Sequence, residues 1–469
     1  MEKDEKITAR PPIVVVLGHV DHGKTTLLDK IRHTNLQIRE AGGITQNIGA
    51  SQITTKGGGK ITFIDTPGHA AFANLRIRGA KVADIAILVI ASDDGVKPQT
   101  VEALDDIKDA KIAFIVAFTK IDLSSANVEK AITQLENLGV VFEKKGGEVP
   151  FVKVSGKTGE GLDELLDTII LVSEMQEIKT GKNLPLEAVI IEVSKGKAGP
   201  LASVVVRNGQ LSLGDNLVAG EITGKVKSLT DFQGKRVNQA LPGDAVQILG
   251  FSDLPTIGAM LETKEKVNQT HLKGWTHEMQ KTVQAGQIPI IIKADTTGSL
   301  EAIISTLPKN IVVVESGVGE VGESNVLTAK SSKAQIFTFN LKTRSNIQKF
   351  ADTEGIKIEA FDIIYKLLER IDEIIKGEKI ETLGKAQIIA IFPFNNRKVA
   401  GCKVLEGVIN KTDKLTLKRD LKNIGQVKII TMKKQKLDIN QAKVGEEFGI
   451  IFEPQLDFKV GDMLLSVRK

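Results

Sequence analysis

A single cysteine, Cys402, stands in 469 residues, so no intramolecular disulfide can form, and the chain suits a reducing compartment. No apolar run approaches the roughly 20 residues that cross a bilayer, so no membrane span is expected. The opening residues, MEKDEKITAR, carry no apolar h-region of a signal peptide. A cytoplasmic location follows as the expectation, with an organelle interior as the alternative. Net charge is also small. The net value is +5, and residues 381–469 alone hold 17 basic against 10 acidic side chains, so the excess is C-terminal. A basic module of this kind can grip phosphates of an RNA end, although a solvated lysine-rich surface accounts for the same numbers.

The length predicts three or four domains. Short apolar runs at 13–17, 61–64, 85–90, 112–118 and 151–154 alternate with helical patterns, which predicts a doubly wound, mostly parallel sheet. A helix over 163–176 closes this unit. From Leu186 the pattern changes to strands separated by turn dipeptides such as Asn208-Gly209 and Gly214-Asp215, predicting a small antiparallel barrel. A polar stretch with the single tryptophan, Trp275, reads as a linker. A second βα-alternating segment starts at Ile288, and an amphipathic helix follows with Ile364, Leu367, Leu368, Ile371, Ile374 and Ile375 on one face. That helix is either a stiff strut or is packed on the sheet before it.

Residues 202–209 align with 400–407 at an offset of 198, and Asp215 meets Asp413 at the same offset. Pro242-Gly243-Asp244 has a counterpart in Val444-Gly445-Glu446. Two related barrels are expected. The predicted architecture is α/β multidomain: a tail at 1–10, a doubly wound α/β domain at 11–177, a β-barrel at 178–266, a linker at 267–287, a small α/β domain at 288–362, a connecting helix at 363–379 and a second β-barrel at 380–469.

The chemistry concentrates in four strand-end motifs. Gly18-His19-Val20-Asp21-His22-Gly23-Lys24-Thr25 fits G-x-x-x-x-G-K-[ST] between an apolar strand and a helix that takes in Thr26. Backbone N–H groups of such a loop cradle phosphates, Lys24 reaches the β/γ-phosphates and Thr25 ligates Mg2+. Asp65-Thr66-Pro67-Gly68-His69 offers a carboxylate for Mg2+ and, at Gly68, an N–H for the γ-phosphate. Thr119-Lys120-Ile121-Asp122 places a carboxylate that accepts the paired donors of guanine, which adenine lacks. Ser155-Gly156-Lys157 supplies backbone donors for guanine O6. His19 and His22 have no acidic or cysteine cluster around them to complete a metal shell. His69, next to the γ-phosphate sensor, is expected to orient an attacking water.

The blocks GHVDHGKTTLLD, EAGGITQNIGA, FIDTPGHAAF, ASDDGVKPQT, VSGKTGEGLDELL, KADTTGSLEA, SGVGEVGESNV and VAGCKVLEGVI resemble translational GTPases, specifically the bacterial-type initiation factor two family. That resemblance implies that 11–177 is a P-loop GTPase domain binding GTP/GDP and Mg2+, with a monovalent cation held beside Asp21. It implies a factor that acts as a monomer with the small and large ribosomal subunits, formylmethionyl initiator tRNA and other initiation factors. By the same resemblance Thr45 is the switch threonine on Mg2+, His69 is catalytic, and the initiator-tRNA pocket of the last barrel matches at Phe392, Cys402, Glu447 and Gly449. Departures are Thr119 for asparagine, Gly156 for alanine, Phe448 for cysteine and Lys434 for arginine. The family's long N-terminal extension has no counterpart in this sequence, so the resemblance does not extend to partners recruited through it. Two other readings are a factor delivering other tRNAs, which would place two barrels directly after the GTPase domain, and a nucleotide-gated assembly module that does not hydrolyse.

Overall fold

The computed structural model describes residues 8–32, 34, 45–180, 184–263, 287–375, 381–394, 397–419, 422–435, 437–454 and 456–468. Trp275 and the expected linker, except Gln287, lie outside the described residues, as does the end of the connecting helix. The chain divides into two compact units, Met1–Ile364 and Tyr365–Lys469.

The first unit begins with a six-stranded sheet: β1 (Ile13–Gly18), β2 (Gly49–Thr54), β3 (Lys60–Asp65), β4 (Ile85–Ala91), β5 (Ala113–Thr119) and β6 (Phe151–Lys153), in the order β2-β3-β1-β4-β5-β6. All neighbours are parallel except β2, which is antiparallel to β3. The apolar runs become the fully buried β1 and β4, as strands covered on both faces must be. Strand β2 was not among the expected strands. Its sequence, GASQIT, lies on the edge with one residue in six buried, and it carries no apolar run to announce it. Helices α1 (Lys24–Arg32), α2 (Ala73–Val82), α3 (Pro98–Ala110), α4 (Val128–Glu136) and α5 (Leu162–Met175) complete this layer.

A closed antiparallel barrel follows, with β7 (Glu187–Gly196), β8 (Gly199–Asn208), β9 (Asn216–Ala219), β10 (Ile222–Asp231), β11 (Ala245–Phe251) and β12 (Met260–Thr263). The order β9-β12-β7-β8-β11-β10 closes through β9 on β10. Next come β13 (Ile288–Ala294), α6 (Thr297–Thr306), β14 (Ile311–Val318), α7 (Glu323–Ser332), β15 (Gln335–Phe339), α8 (Ser345–Thr353) and β16 (Ile358–Phe361). These strands form a four-stranded parallel sheet in the order β14-β13-β15-β16. In helix α9 (Ile364–Ile375), Ile364, Leu367 and Ile371 are buried, so the described part is packed along its apolar stripe.

In the second unit, β17 (Glu381–Phe394), β18 (Arg397–Asn410), β19 (Lys414–Arg419), β20 (Lys422–Lys434), β21 (Glu447–Glu453) and β22 (Met463–Arg468) form a barrel in the order β17-β22-β19-β20-β21-β18, closed by β17 on β18. The turn chemistry of the first barrel returns here. Asp215 Oδ2 accepts from the Ser212 N–H at 2.7 Å, and Asp413 Oδ2 from the Asn410 N–H at 2.8 Å. The Gly243 N–H donates to Val206 O at 2.8 Å, and the Gly445 N–H to Val404 O at 2.9 Å. Asp244 and Glu446 each accept from the N–H three residues earlier, at 2.9 and 2.8 Å.

A buried carboxylate joins the first barrel to the α/β layer. Glu192 on β7 is 6% exposed, and its Oε1 accepts from the Gly298 N–H at 3.2 Å in the first turn of α6. A Cβ at Gly298 would lie 2.7 Å from Glu192 Oε2 and 2.7 Å from Leu75 of α2, so the three elements meet only over glycine. Burial raises the Glu192 carboxyl from 4.5 to about 7, against hydrogen bonds from Val193, Gly298 and Thr296. The folded chain therefore keeps a proton that the unfolded chain releases above about pH 4.5, and stability falls as pH rises from there through about 7. Glu192→Gln should flatten that slope, read as thermal midpoints across pH 4.5–7.5; an unchanged slope would assign the dependence to another group.

Candidate nucleotide-binding site

The four motifs converge at the C-terminal ends of β1, β3, β5 and β6, where an open parallel sheet binds its ligands. Lys24 opens α1 and is buried, and its ammonium donates to the carbonyls of Gly18 at 2.9 Å and His19 at 2.7 Å. Burial lowers it from 10.5 to about 8, with Asp65 opposing that shift. Gln99 of α3 steadies the loop by accepting from the Val20 N–H at 3.1 Å. Asp21 is exposed, with a left-handed backbone at φ 62. The His19 and His22 rings meet edge to face at 5.0 Å, and burial, then His19, lowers His22 to about 4, so it is neutral near pH 7. Among the described residues no group of three or more His, Cys, Asp and Glu side chains could hold a metal ion.

The Thr25 and Thr45 hydroxyls lie 2.7 Å apart, close to the roughly 3 Å edge of an octahedral Mg2+ shell. Asp65 stands 5% exposed, its Oδ1 has no hydrogen-bond partner and burial raises its pKa, while Arg32 lies 3.9 Å from Oδ2. Two convergent hydroxyls and an orphaned carboxylate oxygen are the hard oxygen donors that Mg2+ selects, so these residues fit the ion.

Gly68 closes over the loop. A Cβ there would lie 2.3 Å from Lys24 Nζ, 3.1 Å from Val20 N and 3.2 Å from Gly18 O. His69 Nδ1 accepts from the Ala71 N–H at 3.0 Å, which assigns the ring proton to Nε2. Burial, then Arg76, lowers its pKa, so the neutral ring can donate from Nε2. Arg76 is 1% exposed; it donates to His69 O at 2.7 Å and Glu102 at 2.9 Å, and lies 3.6 Å from Asp106.

On the base side, the Ser155 hydroxyl donates to Asp122 Oδ1 at 2.7 Å and accepts from the Thr158 N–H at 3.1 Å. Asp122 and Lys157 are exposed, and Lys120 lies 3.6 Å from Asp93. The loop at Gly156 sits against α1, where a Cβ would approach Thr26 and Leu27 at 3.2 Å. Thr119 is 2% exposed and its hydroxyl donates to His22 O at 2.6 Å, so it faces the phosphate loop.

The two residues after Thr45 lie in none of the four strand-end motifs, yet both side chains are engaged. Gln46 Nε2 donates to Asp362 O at 2.8 Å, and its Oε1 accepts from the Ile364 N–H at 3.1 Å, at the start of α9. Asn47 donates to Asp295 at 3.2 Å and accepts from the Ser299 hydroxyl at 2.9 Å. The segment beside the Thr25–Thr45 contact is thus bound by the carboxyl-end loops of the second parallel sheet.

In the last barrel the candidate pocket residues divide by strand alternation. Cys402 and Phe448 are paired and buried in the core, so neither side chain lines an outer pocket; burial pushes the Cys402 thiol up. Outside, Gly401 and Gly449 pair as a flat floor, and the ring of Phe392, 56% exposed, lies 3.2 Å from where a Gly401 Cβ would stand. Glu447 lies 4.0 Å from Lys403, and Lys434 donates to Glu446 at 2.7 Å.

The Elongation factor Tu GTP binding domain matches residues 10–174, Elongation factor G domain 2 matches 185–264 and Translation-initiation factor 2 matches 261–372. The Translation initiation factor IF-2 of Halothermothrix orenii is 40% identical over 99% of this chain and 72% of its own length. The chain belongs to the translation initiation factor IF-2 family. The IF-2 of Nitratiruptor sp. is also 40% identical, over 100% of this chain and 59% of its own length. GDP-bound aIF5B from Aeropyrum pernix is 26% identical, covering 98% of this chain and 92% of its own, with a TM-score of 0.46. IF-2 is a GTP-binding translation factor, and its GTP-binding domain is the layer that carries the four motifs.

Arg76→Met should cost about 2 kcal/mol of stability, the cost of unpairing a buried charge discounted for the half-exposed Glu102. Chemical denaturation reads this directly, and a loss below about 0.5 kcal/mol would show that the Arg76 cluster holds nothing in place.

Proposed function

We propose that this IF-2 family member places formylmethionyl initiator tRNA on the small ribosomal subunit in a GTP-dependent manner and promotes subunit joining, with hydrolysis triggered by the large subunit. The reading rests on 40% identity to factors named Translation initiation factor IF-2 over nearly the whole chain. It acts as a monomer in the cytoplasm, alongside other initiation factors.

GTP lies along the Gly18–Thr25 loop, with Lys24 on its terminal phosphates, the Gly68 N–H as γ-phosphate sensor and Asp122 reading the base. Thr25, Thr45 and Asp65 would hold Mg2+, which would neutralise phosphate charge. A monovalent cation beside Asp21 belongs to the same reading. His69 donates from Nε2 to the attacking water and orients it; with Nδ1 engaged by Ala71, the ring positions the water and does not take its proton. The triphosphate draws Thr45 to Thr25, and Gln46 and Asn47 then carry that closure into the α/β domain and the first turn of α9. In the last barrel, Phe392 over the Gly401–Gly449 floor receives the methionyl side chain, and Lys434 and Glu447 border it.

His69→Ala should leave GDP affinity within about twofold and lower ribosome-stimulated phosphate release by about a hundredfold or more, the scale of a lost positioning group. Unchanged multiple-turnover release would remove His69 from the mechanism, and no release from the parent protein with ribosomes would favour a module that does not hydrolyse. The full chain should slow ester hydrolysis of formylmethionyl-tRNA several-fold more than that of methionyl-tRNA, and Phe392→Ala should erase the difference. Equal protection of the two esters by the parent chain would place initiator selection elsewhere.

A further inference from the structure

We propose that Thr119 serves the phosphate loop instead of the base, so that guanine N7 carries no recognition in this chain and base selection rests on Asp122 and the Ser155–Lys157 loop. This builds on the guanine-nucleotide reading of the site. Guanine offers donors at N1 and N2 and acceptors at O6 and N7. Asp122 is an acceptor for the donor pair, held in place by the Ser155 hydroxyl at 2.7 Å. The backbone N–H groups around Gly156 suit O6. N7 then takes a further donor, and the side chain to test is Thr119, which ends β5 three residues before Asp122.

Thr119 cannot be that donor. Its hydroxyl has one proton, given to His22 O at 2.6 Å, with Ile90 O as a second acceptor at 3.4 Å. The side chain is 2% exposed, and its Oγ1 lies 3.8 Å from where a Gly23 Cβ would stand, against the loop. What the oxygen has left are lone pairs, which repel an acceptor such as N7. The neighbouring Lys120 ammonium lies 3.6 Å from Asp93. A carboxamide at this position would carry two protons on one nitrogen, one for His22 O and one for N7.

The test compares GDP with 7-deaza-GDP, in which N7 is replaced by C–H, by calorimetry on the full chain. The parent protein should bind the two within about twofold. Thr119→Asn should favour GDP by roughly fivefold to tenfold, the worth of one net hydrogen bond. Thr119→Val, which keeps the shape and loses the proton for His22 O, should weaken both nucleotides in the same proportion. A merely structural role for Thr119 predicts that last result but not the new preference of Thr119→Asn. Several-fold discrimination against 7-deaza-GDP by the parent protein overturns the proposal and leaves the guanine site standing; this arm needs no variant to fold. A folded Thr119→Asn that binds both nucleotides equally also overturns it. Failure of the parent to bind either nucleotide overturns the guanine reading, and the proposal with it.

Discussion

The 2.7 Å contact between the Thr25 and Thr45 hydroxyls sets Thr45 against the phosphate loop, and the two residues that follow it tie this site to the second parallel sheet. With Thr45 held at the head of α1, Gln46 reaches Asp362 and Ile364, and Asn47 reaches Asp295 and Ser299. The Gln46 amide uses both its donor and its acceptor on one short stretch of backbone, so it binds that stretch in one register. Thermodynamic reciprocity follows: whatever tightens Thr45 over the phosphates favours this docking, and whatever disturbs the docking loosens Thr45 by the same free energy. The second parallel sheet thus uses its carboxyl-end loops as open α/β sheets commonly do, with a loop of the same chain in the ligand's place.

Burial sets the electrostatics around that contact. Lys24 and Arg76 are almost wholly inside the protein, and Asp65, a buried carboxylate that interacts with Lys24, is itself raised by burial. Desolvation lowers Lys24 to about 8 and His22 to about 4, so the histidine adds no charge near pH 7 while the lysine stays predominantly protonated. A low-dielectric pocket that keeps the Lys24 ammonium beside the N–H groups of the loop focuses positive potential, which suits an anionic polyphosphate. Glu192 applies the same physics with the opposite sign. A carboxylate placed among apolar neighbours and helix N–H groups holds its proton to about pH 7, and the junction it occupies is neutral below that.

What was legible in the sequence follows from the range of each interaction. Apolar runs specify buried central strands, and β1, β4 and β5 lie within a residue of their expected positions. The polar edge strand β2 is held by pairing with β3 and by contact with the first barrel, where Gln52 donates to Gly243 O at 3.2 Å and Asp244 at 3.1 Å, so its own composition gives no signal. The phosphate loop is a local octet and reads directly. Gln46 and Glu192 are polar residues with partners more than a hundred positions away in the chain, and no spacing rule connects them. Strand alternation did contain one available signal: in a strand through Glu447, Phe448 and Gly449, the middle residue must face opposite to its neighbours, which places Phe448 in the core and the other two outside.

The two barrels separate fold from function within one chain. Their internal requirements are the same: an aspartate folding back on the N–H three residues earlier, a left-handed glycine, and a glycine N–H closing onto the central strand. These positions are fixed by backbone hydrogen bonding and carry no information about a partner. The difference lies in what faces outward. In the first barrel, Asp244 accepts from Gln52 of β2, and Glu192 is consumed at the α6 junction. In the second barrel the equivalent turn residue, Glu446, instead neutralises Lys434, and Phe392 remains exposed beside two paired glycines. A scaffold whose turns are specified so locally can exchange its outer residues at little cost to folding, so one copy can serve as an internal brace while the other presents a surface to an external partner.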